Sequence, residues 1–240
     1  MNDLKSLFEI KFHQTEEWEG ISKEYFENFC YEFANYSTQY LDKLGEFPFV
    51  YSERSLTSAV LPALIKADKD NNAFIFMEQP FKITKGKKEI QRFLDFYIDH
   101  TDHLYLVEMK HRWNAYKTQE FNEKTIDIWK DCLKQIDDLD KKTIKNHICD
   151  LSVYKESSRV AMLIMPVYQN QKSKFNFKTT KYPTVEEYCQ SIKNEFETLK
   201  SSRVPDFIAI WKIKDYQRKF ENGKYQSIPY IIFALYKEKI

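Results

Sequence analysis

Glycine is scarce in this chain, with 4 residues in 240, at positions 20, 45, 86 and 223. They are too far apart to build a glycine-rich loop around a phosphate, which argues against intrinsic ATP hydrolysis. Cysteine is equally rare. Cys30, Cys132, Cys149 and Cys189 lack the paired spacing of a zinc site and the density of a disulfide scaffold. With no secretory signal at the N-terminus, the expectation is reduced thiols in a cytoplasm. Neither sign of charge prevails, at 37 basic against 36 acidic residues. Any surface for nucleic acid must therefore be local. No apolar run approaches the roughly 20 residues that span a membrane. What is plentiful is hydrophobic and aromatic material, 42% and 16% of the chain. That excludes a disordered chain and is enough for a core in one domain.

The patterning alternates between helical and strand periods, with no internal repeat. Tyr25, Phe26, Phe29, Cys30, Phe33, Tyr36 and Tyr40 recur at helical spacing and predict a helix over 22–44, ended by Gly45 and Pro48. Ser52 reads as the N-cap of a second helix with Leu56, Val60, Leu61 and Leu64 buried, although Pro62 should weaken its middle. Strands follow over 73–83, around Asp95, and in the run that ends with Glu108-Met109-Lys110; a helix is expected over 119–139. A further strand at 160–168 leads to a helix at 184–199 with a Thr184–Glu187 capping box, then strands at 207–213 and 229–236. This order fits an α/β (α+β) chain: a central mixed sheet flanked by helices, as a single domain. Residues 1–46 would form a helical extension, opened by LFEIKFH (7–13) as a short strand or a lead-in; 47–145 would form a core, and 146–240 the strands and helix that complete the sheet.

The charges within the strands carry the chemistry. The stretch QRFLDFYIDHTDHLYLVEMKHRW (91–113) places Asp95 inside one apolar run and Glu108-Met109-Lys110 at the end of the next. Side chains alternate along a strand, so Glu108 and Lys110 share a face with Leu104 and Leu106. A hairpin that pairs Asp95 with Glu108 has its turn at residues 101 and 102, within the polar segment. Two carboxylates and a lysine brought together this way suit metal-assisted phosphodiester hydrolysis. The acids supply hard oxygen ligands to Mg²⁺ or Mn²⁺, and the lysine orients water and offsets negative charge. The tripeptide pattern alone is unspecific, recurring at Asp3–Lys5, Glu9–Lys11 and Asp140–Lys142. Only Glu108–Lys110 follows an acidic strand through a hairpin. The plainer alternative is a solvated ion pair at a strand end.

This arrangement resembles the core of the PD-(D/E)XK nuclease superfamily, the restriction-endonuclease-like fold, over residues 53–139. The resemblance implies a Mg²⁺- or Mn²⁺-dependent nuclease acting on DNA more than RNA, in defence against foreign DNA or in DNA repair. It implies metal ligands at Asp95, Glu108, the Met109 backbone carbonyl and Glu53, with Lys110 assisting the water. Glu53 has a simpler role available, complementing the dipole of its helix. Lys134 and Gln135 match a helix position that often faces the site, as would any solvated helix face. The chain departs from the pattern in lacking a proline before Asp95. Its arginine, Arg92, lies three residues before the Asp rather than two, and so is expected on the opposite face. Pro205-Asp206 is a literal "PD" but lies downstream of the triplet, and reads as the start of a strand.

Lys82, Lys85, Lys87 and Lys88, with Lys110, Arg112 and Lys117, are expected to form a basic lip near the acids, or else an ordinary solvated hairpin. Trp113 and Tyr116 are candidates to stack on bases. His100 and His103 form an H-x-x-H pair without further zinc partners, and read as turn residues. The rival functions are a non-catalytic binding module within a larger complex and an α/β interaction protein with incidental acids. The helical extension is compatible with a homodimer.

Overall fold

The computed structural model describes residues 2–70, 72–85, 87–116, 121–171, 175–179, 181–182, 184–199, 203–214, 216–220 and 223–240. The elements run α1 (Asn2–Leu7), β1 (Glu9–Gln14), α2 (Gly20–Leu44), α3 (Glu53–Ala67), β2 (Phe74–Lys85), β3 (Lys88–His100), β4 (His103–His111) and β5 (Asn114–Ala115). They continue α4 (Glu123–Asp137), α5 (Lys141–His147), β6 (Glu156–Gln171), α6 (Val185–Glu197), β7 (Phe207–Lys212), β8 (Gln217–Lys219) and β9 (Tyr225–Lys239). All the strands join one mixed sheet of order β1-β7-β9-β6-β4-β3-β2, with β5 on β6 and β8 on β9.

Local chemistry sets the helix ends. Ser52 Oγ accepts the Ser55 N–H, and Asn122 Oδ1 that of Thr125. Thr184 and Glu187 complete the expected capping box. Gly45 closes α2 at φ 76°, the left-handed conformation that glycine adopts without penalty, and its N–H reaches the Leu41 carbonyl at 2.8 Å. Parallel neighbours need a crossover, and α4 and α5 provide it between β4 and β6. A strand buried on both faces reads as a nearly continuous apolar run, which explains HLYLVEM in β4. One face packs Tyr105, Val107 and Met109 beneath α2 and α3. The other packs α4 and α6 on β6, β7 and β9, with α5 beside Leu104 and Leu106.

The N-terminal segment is not only helical: the LFEIKFH run at 7–13 leads into a strand, the first of its two readings. Its β1 pairs antiparallel with β7, from Glu9↔Lys212 to Gln14↔Phe207, and forms an edge of the sheet. The expected helix at 119–139 spans Glu123–Asp137, with 119 and 120 outside the described residues. Helix α5 was hidden from periodicity because seven residues bury little more than Ile144.

The β2–β3 ribbon rolls over in its middle. Ile75, Met77, Phe96 and Ile98 pack toward α2 and α3, whereas Phe81, Ile83 and Leu94 pack on the opposite face with Leu104, Leu106 and Ile144. Residues of one parity share a face on a regular strand. The switch between Phe96 and Leu94, and between Met77 and Phe81, therefore requires a turn of the ribbon at Glu78 and Asp95. Glu78 lies at φ 54°, a left-handed conformation that costs a residue with a Cβ about 1–2 kcal/mol.

Candidate active site

The hairpin closes in the expected register. β3 and β4 pair from Phe96↔Val107 to His100↔His103 around Thr101 and Asp102, with Thr101 at φ 61°. Continued by one step, that register sets Asp95 opposite Glu108. The ribbon rolls at this step, and β3 leaves β4 while remaining paired with β2. Backbone N–H groups of β4 lose their strand partners there, and carboxylates replace them. Met109 N–H donates to Asp95 Oδ2 at 2.7 Å, and His111 N–H donates to Glu53 Oε2 at 3.3 Å. The N–H and C=O of one strand residue point the same way, so the Met109 carbonyl opens into the same gap.

The Asp95 and Glu108 carboxyl groups are close enough to act strongly on each other. Glu108 is 3% exposed. Burial pushes its carboxyl up to about 9, Asp95 raises it further, and Lys110 and Arg92 oppose the rise. Burial and the neighbouring Asp95 thus both favour the protonated form of Glu108. Glu53 occupies the first turn of α3, as expected. Desolvation raises its carboxyl; Lys110 lowers it, and Asp95 raises it again. The fields of Asp95, Glu53, Glu108 and Lys110 thus overlap at one place on the sheet. Lys110 is half-buried and makes no ion pair among the described residues. Behind the acids, Cys132 Sγ on α4 donates to the Glu108 carbonyl at 3.3 Å, fixing the strand against the helix.

The donor set suits a hard divalent cation such as Mg²⁺: two neighbouring carboxylates and a carbonyl facing the same gap. Mg²⁺ is commonly held by one or two carboxylates together with substrate phosphate. Among the described residues no group of three or more His, Cys, Asp and Glu side chains forms a ready-made cage. Glu53 is tied instead to the His111 N–H.

Other expectations fare differently. Arg92 is on the same face as Glu108, not the opposite one, because the roll at Asp95 inverts the alternation; its charge acts on Glu108. The lysine-rich turn does not border the acids. Lys88 lies about 23 Å from Asp95 along an extended strand, at about 3.3 Å per residue, and Lys87 sits beyond it. Lys82 pairs with Glu89 at 3.3 Å. Lys117 and the side chain of Lys85 lie outside the described residues. Arg112 is half-buried beside His111, which burial and then Arg112 push down to about 4. Gln135 donates to Asp131 at 2.8 Å on the helix surface, and Lys134 is exposed. Tyr116 is not free to stack on bases; it is 5% exposed and packs against Phe175, Tyr188 and Tyr230. Trp113 is half-buried, edge-on to His111 and Tyr168.

His100 and His103 face each other across the turn, remote from the acids, with His100 Nε2 3.7 Å from Asp68. Asp206 immediately precedes β7 and holds structure together. It accepts from Trp18 Nε1 and, through both oxygens at 3.1 and 3.2 Å, from Lys237 N–H. Asp206→Ala should leave those buried donors unpaired and cost about 2–4 kcal/mol in urea melts. A variant as stable as wild type would show that these hydrogen bonds carry little of the fold.

Among the described residues no helix is long and apolar enough to cross a membrane. Comparison of the chain with protein-family models, with curated proteins and with solved structures gave no match.

Proposed function

We propose that the chain is a divalent-metal-dependent nuclease that hydrolyses phosphodiester bonds in DNA, with a role in defence against foreign DNA or in DNA repair. One observation carries this reading: Asp95 and Glu108 meet at the step where β3 leaves β4, with Lys110 two residues further along the same face. Bound Mg²⁺ or Mn²⁺ would neutralise phosphate charge and increase the acidity of water. Asp95 and Glu108 would supply oxygen ligands for the cation, with the Met109 carbonyl facing the same gap. Glu53 adds negative charge at the rim and is freed for coordination if the His111 N–H releases it. Lys110 is in position to orient the attacking water and to offset charge that builds on phosphate oxygens.

A second reading has its own support. Asp95 and Glu53 both satisfy backbone donors of β4, a structural task that a non-catalytic binding module would also need. One experiment separates the two. Supercoiled plasmid is incubated with Mg²⁺, Mn²⁺ or EDTA, while calorimetry follows Mn²⁺ uptake. The nuclease reading expects nicking or linearisation with metal and a binding isotherm that Asp95→Asn weakens. No cleavage and no Mn²⁺ uptake would leave the binding module.

A further inference from the structure

We propose that Arg92 grips a phosphate of the nucleic-acid substrate beside the Asp95–Glu108 pair, opposite Lys110; the inference rests on the nuclease reading above. The argument starts from the roll of the β2–β3 ribbon. On a flat strand Arg92 would point away from Glu108. The reversal at Glu78 and Asp95 sends Leu94 into the cluster with Leu104 and Leu106, and Arg92, of the same parity, follows it to that face. Its register partner Phe81 is buried in the same cluster, which anchors the strand beneath the guanidinium.

Arg92 is also uncommitted. It is half-buried, yet among the described residues it makes no hydrogen bond or ion pair. Arg159 is paired with Glu238, Arg203 with Asp137 and Glu238, and Arg218 with Glu46; among the described residues Arg112, just past the end of β4, shares with Arg92 the lack of an ion pair. A half-buried guanidinium normally has an acceptor, and its planar fork matches two oxygens of a phosphate. Arg92 lies three residues before Asp95 on β3 and shares its face with Glu108. Arg92 on β3 and Lys110 on β4 therefore approach the acid pair from neighbouring strands. The lysines of the distant turn cannot take this place. A polyanion whose phosphate lies between the two cations presents its phosphodiester to the carboxylates.

The test measures DNA affinity apart from chemistry. Anisotropy of a labelled duplex is followed in EDTA over a series of salt concentrations, for wild type, Arg92→Gln and Arg92→Lys. Kinetics of cleavage in Mg²⁺ and Mn²⁺ calorimetry accompany it. Glutamine retains much of the apolar stem, which guards against misfolding. Arg92→Gln is expected to weaken binding about tenfold or more, and to flatten the slope of log K against log salt by about 0.9 for the lost phosphate contact. KM for cleavage should rise, Arg92→Lys should recover part of the loss, and Mn²⁺ uptake should be undiminished. If Arg92→Gln matches wild type in affinity and slope while wild type cleaves, the proposal is overturned and the nuclease reading stands. If wild type neither binds duplex nor cleaves it, both fall.

Discussion

Lys110→Met is expected to lower the rate of plasmid cleavage by about 10³-fold while the protein stays folded. The magnitude follows from what a positioned proton-transfer group and a charge aimed at a developing oxyanion each contribute, about 10²–10⁴-fold and 10²–10³-fold. Stability should change little, because Lys110 is half-buried and makes no ion pair among the described residues. Methionine keeps an unbranched apolar stem at this half-buried position. One side effect has a definite sign: Lys110 opposes the upward shift of Glu108, so its loss should strengthen the proton on Glu108 and weaken Mn²⁺ uptake. Raising pH should recover the metal affinity but not the rate. Cleavage within a few-fold of wild type at saturating metal would remove Lys110 from the chemistry.

The second large effect concerns the buried acid itself. In EDTA, the native state keeps the Glu108 proton up to about pH 9, whereas an unfolded chain releases it near the ordinary glutamate value. The native state thus binds more protons in this interval, and stability contributed by this group is complete below the unfolded value. It is lost as pH rises toward 9, at up to about 1.4 kcal/mol per pH unit. Glu108→Gln imitates the protonated group and cannot ionise. It should flatten the pH dependence and make the metal-free protein more stable than wild type at pH 8 by several kcal/mol. In Mg²⁺ the order should narrow, because wild type gains binding energy in the native state that the variant has lost. Urea melts at pH 5.5, 7 and 8.5, with and without metal, read this directly. Parallel curves for the two proteins in EDTA would mean that Glu108 is already ionised in the metal-free state. The variant should not cleave DNA at any of these pH values.

These expectations show which parts of the site were legible in the residues. The meeting of Asp95 and Glu108 was, because apolar runs on both sides of a short polar turn admit one register, and a slip by one residue would expose the core face. Glu53 was legible too, since a serine cap sets the start of α3 one residue before it. The side of β3 on which Arg92 lies was not. Strict alternation assumes a regular ribbon, and a glutamate at φ 54° carries none of the composition by which a glycine or asparagine would announce such a turn. The expectation of a nearby basic lip failed because sequence proximity to Asp95 was read as spatial proximity, whereas an extended hairpin carries its tip far from its base. In the fold, the mixed sheet and the main helices followed from periodicity. The membership of β1 at the sheet edge rests on pairing with β7 some 200 residues later, as in Glu9↔Lys212; about this, local pattern is mute.

The turn at Thr101 and Asp102 gives the acid pair an unusual dependence. Both carboxylates belong to one short hairpin, so their spacing is fixed by neighbours in the chain rather than by assembly of distant segments, and contacts this local form early. Loops elsewhere are free to lengthen without disturbing that spacing. A single residue inserted in the turn is another matter: with β4 anchored by β6, β3 would slide by one position, and Asp95 would turn its carboxylate through the sheet, away from Glu108.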